Sequence, residues 1–96
     1  MAPLVWLVTG STSGIGLALV QHIHARGDKV IASGRKVEER LGHLKTDSFA
    51  LHEMDITSSG EVIAAKIKEA WLIFGHIDVL VNNAGMSAMS AAEEAR

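Results

Sequence analysis

The sequence predicts an α/β fold in three layers, a four-stranded parallel sheet with helices on both faces. Three observations carry this reading. Short apolar runs alternate with longer segments of 3.6-residue period in strict strand–helix order, which implies parallel strands joined by right-handed crossovers. The runs are apolar nearly throughout, as strands covered on both faces are. The first run ends in a turn rich in glycine and hydroxyl groups, Thr9-Gly10-Ser11-Thr12-Ser13-Gly14-Ile15-Gly16, which leads straight into a helical segment.

Leu4–Val8 is the first strand, bounded by Pro3 and by Thr9-Gly10. From Ile15 to about Arg26 the stripe Ile15, Ala18, Leu19 and Ile23 predicts a helix, and Gly27-Asp28 closes it as a C-terminal glycine does. Lys29–Ser33 is the second strand, ended by Gly34, and Lys36–Leu44 a short helix interrupted by Gly42. Ser48–Met54 is the third strand. Thr57 or Ser58 then caps a helix to about Phe74, whose core-facing stripe is Ile63, Ile67, Ala70, Trp71 and Phe74. Trp71 and Phe74 are thus expected to be packing residues. Gly75 ends that helix, and Ile77–Val81 is a fourth buried strand running into Asn82-Asn83-Ala84-Gly85.

With 96 residues the chain is long enough for one small domain and not two. Its net charge of −2, without a basic cluster, speaks against nucleic acid as a partner. No cysteine is present, so disulfides and thiolate metal sites are excluded. His22, His24, His43, His52 and His76 lack the close spacing of a zinc site and are read as exposed helix or loop positions. The start, MAPLVWLVTG, has no basic leader and too short an apolar run for a signal peptide or membrane span, so a cytoplasmic protein is expected.

The glycine turn lies between a strand and a helix, where it suits a phosphate. Gly10, Gly14 and Gly16 allow a sharp turn, close approach of backbone to a ligand, and close helix–strand packing. The amides at the helix start, at the positive end of its dipole, face whatever binds there, and a pyrophosphate fits. The hydroxyls of Ser11, Thr12 and Ser13 add donors for phosphate or ribose oxygens. A P-loop needs Gly-Lys-Ser/Thr and this turn ends Gly-Ile-Gly, so a γ-phosphate cradle is excluded. A purely structural turn is the alternative.

The spacing TGxxxGxG over Thr9–Gly16, followed by NNAG at Asn82–Gly85 after the fourth strand, resembles the short-chain dehydrogenases/reductases. The resemblance covers essentially the whole chain. It implies the N-terminal half of a Rossmann-type sheet in strand order 3-2-1-4. It also implies a dinucleotide site made by Gly10, Ser11, Ser13, Gly14, Ile15 and Gly16, by Asp55 at the adenine with Ile56 beside it, and by Asn83, Ala84 and Gly85. At the end of the second strand an NAD site normally places a carboxylate for the ribose 2′-hydroxyl, whereas an NADP site places positive charge. Here the residues are Ser33-Gly34-Arg35-Lys36, with no acid. Arg35 and Lys36 therefore point to NADP, the alternative being a solvated basic pair at a helix start.

The resembled family moves hydride with a serine and a Tyr-x-x-x-Lys pair beyond the NNAG strand. This sequence contains no tyrosine. Ser90-Ala91-Ala92-Glu93 reads as a capping box opening a further helix close to the end of the chain. The expectation is a truncated chain, a single partial dinucleotide-binding domain over residues 1–96. It would meet a carbonyl or alcohol substrate only in a full-length form, and the chain alone would catalyse nothing. The apolar fourth strand would stand at a sheet edge and invite self-association. An interaction protein that pairs through that edge is the rival reading, and a nucleotide-responsive regulatory module a third.

Overall fold

The computed structural model describes residues 3–55 and 57–83. In chain order these form β1 (Val5–Val8), α1 (Gly14–Ala25), β2 (Lys29–Gly34), α2 (Val37–Leu41), a 3₁₀ turn (Gly42–Leu44), β3 (Phe49–Glu53), α3 (Gly60–Phe74) and β4 (Val79–Val81). The four strands make one parallel sheet in the order β3-β2-β1-β4. Strand order and alternation with helices agree with the sequence reading.

Both faces of the inner strands are covered, and the pleat divides the core in two; β4, expected to be buried, is not, with Leu80 53% exposed at the sheet edge. On one face Val8, Val30, Ala32 and Phe49 pack with Val20 and Ile23 of α1 and with Val37 and Leu41 of α2. On the other, Val5, Leu7 and Ile31 pack with Ala70 of α3, flanked by Phe74 and Ile77. β1 and β2 are the inner strands, and apart from half-buried Trp6 and Lys29 their side chains are buried whichever way they point.

Two helical stripes are rotated from the expected ones. In α1 the buried line is Gly16, Val20 and Ile23, while Ala18 is exposed and Ile15 is 75% exposed. Gly16 sets this face, because only a residue without a Cβ lets the helix lie against the Gly10 carbonyl. In α3 Ala70 meets the sheet, with Ile63, Ile67 and Phe74 half-buried and Trp71 46% exposed. Ala70 is small enough for close approach. Trp71, about 100° further round the helix, is turned outward. Its expected packing role is not what the described residues show.

Element ends shift for local reasons. Leu4 lies outside β1, its amide donating to Asp28 Oδ1 at 3.1 Å, and Trp6 Nε1 donates to Asp28 Oδ2 at 3.0 Å. Thr57 is not a helix cap, because Asp55 Oδ1 accepts both its amide (2.9 Å) and its hydroxyl (2.7 Å). Ser59 caps α3 instead, accepting from Val62 N at 3.4 Å. β4 is shorter than expected, since Asp78 clamps the chain ahead of it: Asp78 N donates to Val5 O, and Asp78 Oδ2 accepts from Val5 N, both at 2.8 Å. The expected helix at Ser90–Glu93 lies outside the described residues. Among those described, no helix is long and apolar enough to cross a membrane.

Two histidines depart from the expected exposed positions: His24 of α1 is half-buried, its Nε2 sharing a 3.0 Å hydrogen bond with the Ser48 hydroxyl, and His52 is buried. His52 of β3 is 5% exposed, its Nδ1 sharing a 3.2 Å hydrogen bond with the buried Ser33 hydroxyl. β3 is an edge strand paired only with β2, and its register sets His52 opposite Ser33 on one side while Glu69 of α3 lies 3.9 Å from Nε2.

Candidate functional site

A cavity of about 750 Å³ opens at the C-terminal ends of the strands. Parallel strands put all their βα turns on that edge, which is why residues far apart in the sequence converge there. Thr9, Gly10, Thr12 and Ser13 come from the β1–α1 turn. Ser33, Gly34, Arg35, Lys36 and Arg40 come from the end of β2 and from α2; Glu53, Met54, Asp55 and Thr57 follow β3, and Asn83 follows β4.

The β1–α1 turn has the left-handed backbone that its glycines permit, with φ of 64° at Gly10 and 58° at Gly14. A Cβ on Gly14 would meet nothing within 4 Å, so the space above that turn is open. A Cβ on Gly16 would lie 2.0 Å from Gly10 O and 2.6 Å from Asn83 Nδ2. Ser13 begins α1 in extended backbone and its side chain makes no capping bond. The first amides of a helix have no intrahelical partner, so those of α1 are presented to a ligand and carry the positive end of the dipole.

Three tethers hold this turn. The Ser11 amide donates to Ser33 O at 3.0 Å, and the Ser11 hydroxyl, fully buried, donates to Val8 O at 2.6 Å. Asn83 Nδ2 donates to Gly10 O at 3.1 Å, joining the ends of β1 and β4 where the strand order reverses direction. Ser11 thus shapes the turn from beneath, and its hydroxyl is committed to the backbone and does not line the cavity.

Arg35, Lys36 and Arg40 put positive charge on the β2 side of the cavity, next to Glu53 and Asp55. The hydroxyl and amide of Thr57 hold the Asp55 carboxyl below the usual carboxylate range, with a further contribution from Arg35, so Asp55 is ionised. Glu53 is already engaged. Its Oε2 accepts from Lys36 N at 2.9 Å and its Oε1 from Val37 N at 3.1 Å. Just behind this wall, burial holds the His52 imidazole below its usual range against the opposing pull of the Glu69 carboxylate, which lies 3.9 Å from Nε2.

A family model described as short chain dehydrogenase matches residues 4–96. This chain belongs to that family. An oxidoreductase of Botryotinia fuckeliana is 36% identical over 96 residues, covering 94% of this chain and 34% of the relative. An NADP-dependent 3-hydroxy acid dehydrogenase of Escherichia coli K12 is 36% identical over 89 residues, covering 88% and 34%. Among solved structures, a short-chain dehydrogenase from Streptomyces avermitilis superposes with a TM-score of 0.74 at 36% identity, covering 84% of this chain and 30% of that one. A 3-ketoacyl-(acyl-carrier-protein) reductase from Brucella melitensis, complexed with NADH, gives 0.69 at 28% identity, covering 82% and 33%. The chain spans about a third of the length of these curated relatives. Short-chain dehydrogenases bind a nicotinamide dinucleotide and a substrate.

Of the residues singled out from the sequence, Gly10, Ser13, Arg35, Lys36, Asp55 and Asn83 line the cavity together. Gly14, Ile15 and Gly16 form the first turn of α1 beside it, and Ser11 lies beneath. Ile56, Ala84 and Gly85 lie outside the described residues. Sequence reasoning missed Arg40, Glu53 and Thr57. Thr57 had a legible signal, a hydroxyl two residues after an aspartate, which is an Asx-turn spacing. Arg40 and Glu53 had none, because only the pairing of β2 with β3 brings residue 53 to the β2–α2 turn.

Proposed function

We propose that this chain is the NADP(H)-binding front of a short-chain oxidoreductase that transfers hydride between NADP(H) and a carbonyl or alcohol. The observation that carries the cofactor choice is the wall after β2. Arg35, Lys36 and Arg40 line the cavity there, and of the two carboxylates that line it, Glu53 has both oxygens bonded to main-chain amides and Asp55 has one oxygen bonded to the amide and hydroxyl of Thr57. The name of the Escherichia coli relative points the same way.

The residues fit such a ligand. The open space over Gly14 admits a pyrophosphate against the amides of Gly14, Ile15 and Gly16, with the Ser13 hydroxyl as a further donor. Asp55 is assigned to the adenine and Asn83 to the nicotinamide side, as the family resemblance implies; Ile56, Ala84 and Gly85, which the resemblance also implies, lie outside the described residues. Ser11 holds the turn in shape. The dinucleotide supplies the hydride. These 96 residues hold no tyrosine, so hydride transfer is proposed for an enzyme that carries the family's proton-transfer residues, and binding for this stretch, read as one partial Rossmann domain over residues 1–96.

Fluorescence titration with NADPH and NADH tests the reading. A charge-assisted hydrogen bond contributes roughly 1.5–3 kcal/mol, so a single one favours NADPH by about ten- to a hundredfold. Arg35→Asp should remove most of that preference while NADH binding changes little. Equal losses for both cofactors would reject the assignment of Arg35 to the 2′-phosphate.

A further inference from the structure

We propose that Glu53 is a positioning residue for cofactor selectivity: by clamping the Arg35–Lys36 turn from the neighbouring strand, it holds the cations where they meet a 2′-phosphate. The inference rests on the NADP reading above and adds the residue that enforces it.

Lys36 has φ 55° and ψ 36°, and among the described residues it is the only one other than glycine with positive φ. A side-chain-bearing residue persists in that region only where its surroundings hold it there. Nothing local does so. The Lys36 side chain makes no capping bond to α2, and α2 is only five residues long, too short to impose a geometry on its own start. The holding contact comes from β3. Glu53, the last residue of that strand, places one carboxylate oxygen on Lys36 N and the other on Val37 N. Gly34, opposite Glu53 in the strand register, fixes the distance between the clamp and the turn.

Arg35 and Lys36 are exposed, long and flexible, so the direction in which they leave the chain decides whether their charges reach the cavity. That direction is set by the turn, and the turn is set by Glu53. Charge alone predicts the reverse. A carboxylate lining the same cavity repels a phosphate, so removing it should strengthen phosphate binding if it has no positioning role. The two effects differ in sign.

The test compares adenosine 2′,5′-bisphosphate with adenosine 5′-monophosphate, which differ only in the 2′-phosphate. Calorimetric titration of the wild type should favour the bisphosphate by about tenfold or more, the equivalent of ~1.4 kcal/mol. Glu53→Gln keeps the size, loses the charge and keeps one acceptor; it should cut that ratio about three- to tenfold and leave the monophosphate affinity within about twofold. Glu53→Ala, which removes both acceptors, should lower the ratio at least as far. A loss confined to folding weakens both ligands equally and leaves the ratio alone. Hydrogen exchange adds a check independent of the ligand: the amides of Lys36 and Val37 should exchange faster in Glu53→Gln, with those of β1 unchanged. An unchanged or increased ratio in Glu53→Gln overturns the proposal while the NADP reading stands. No preference in the wild type overturns both.

Discussion

Adding one methyl group at Gly16 tests how the cofactor turn is built. In Gly16→Ala the new Cβ would lie 2.0 Å from Gly10 O and 2.8 Å from Gly10 C, both main-chain atoms, and 2.6 Å from Asn83 Nδ2. Restoring even a 3.0 Å separation from the oxygen moves the start of α1 about 1 Å away from the turn. The buried pair Gly16 and Val20 moves with it, and the 3.1 Å bond from Asn83 Nδ2 to Gly10 O is lost or stretched. Overpacking of this kind costs about 1–3 kcal/mol, and the hydrogen bond adds roughly 0.5–1.5 kcal/mol. The sum of about 1.5–4.5 kcal/mol corresponds to a fall in melting temperature of at least ~6 °C for a domain of this size. Gly14→Ala is the matched control. Its Cβ meets nothing, so only the left-handed φ of 58° is penalised, at about 1–2 kcal/mol. Thermal melts followed by far-UV circular dichroism, with NADPH titration of each variant, decide the matter. Should Gly16→Ala melt within about 3 °C of wild type, or no lower than Gly14→Ala, the close-packing account of Gly16 is wrong.

Two further perturbations probe the scaffold under the site. His52 is held below the usual histidine range by burial, so on acidification the unfolded chain takes up a proton near pH 6.5 while the folded chain does not, and stability falls as pH falls from about 6.5 toward the lower folded value. Urea midpoints at about pH 7.5 and about pH 5.5 should show a smaller drop for His52→Gln than for wild type; an equal drop would mean that other groups carry the pH dependence. Ser11→Ala removes a fully buried 2.6 Å hydrogen bond and leaves the Val8 carbonyl without that donor, which should cost about 1–3 kcal/mol and weaken NADPH and NADH binding alike. A selective loss of one cofactor would show that the Ser11 hydroxyl touches the ligand after all.

The sequence by itself determined the topology and the location of the site. Apolar runs in alternation with helical periods admit little besides a parallel sheet, and a parallel sheet sends every βα turn to one edge. Gly10 and Ser13 were legible for that reason, Arg35 because no acid follows the second strand, and Asp55 and Asn83 through the family resemblance alone. Faces and contacts were decided by tertiary structure. Periodicity shows that a helix has an apolar side without saying which residue touches the sheet. In α1 that was settled by the missing Cβ of Gly16, and in α3 by the small Ala70, with Ile15 and Trp71 turned outward as a consequence. Ser11 read as a phosphate donor because a hydroxyl's partner is invisible until the backbone beneath it is placed. Glu53 read as an ordinary strand end and His52 as an exposed position. Only the register that sets residue 53 against Gly34 and residue 52 against Ser33 gives the first a backbone turn to hold and the second a buried hydroxyl to bond, because side-chain chemistry depends on neighbours that local sequence does not specify.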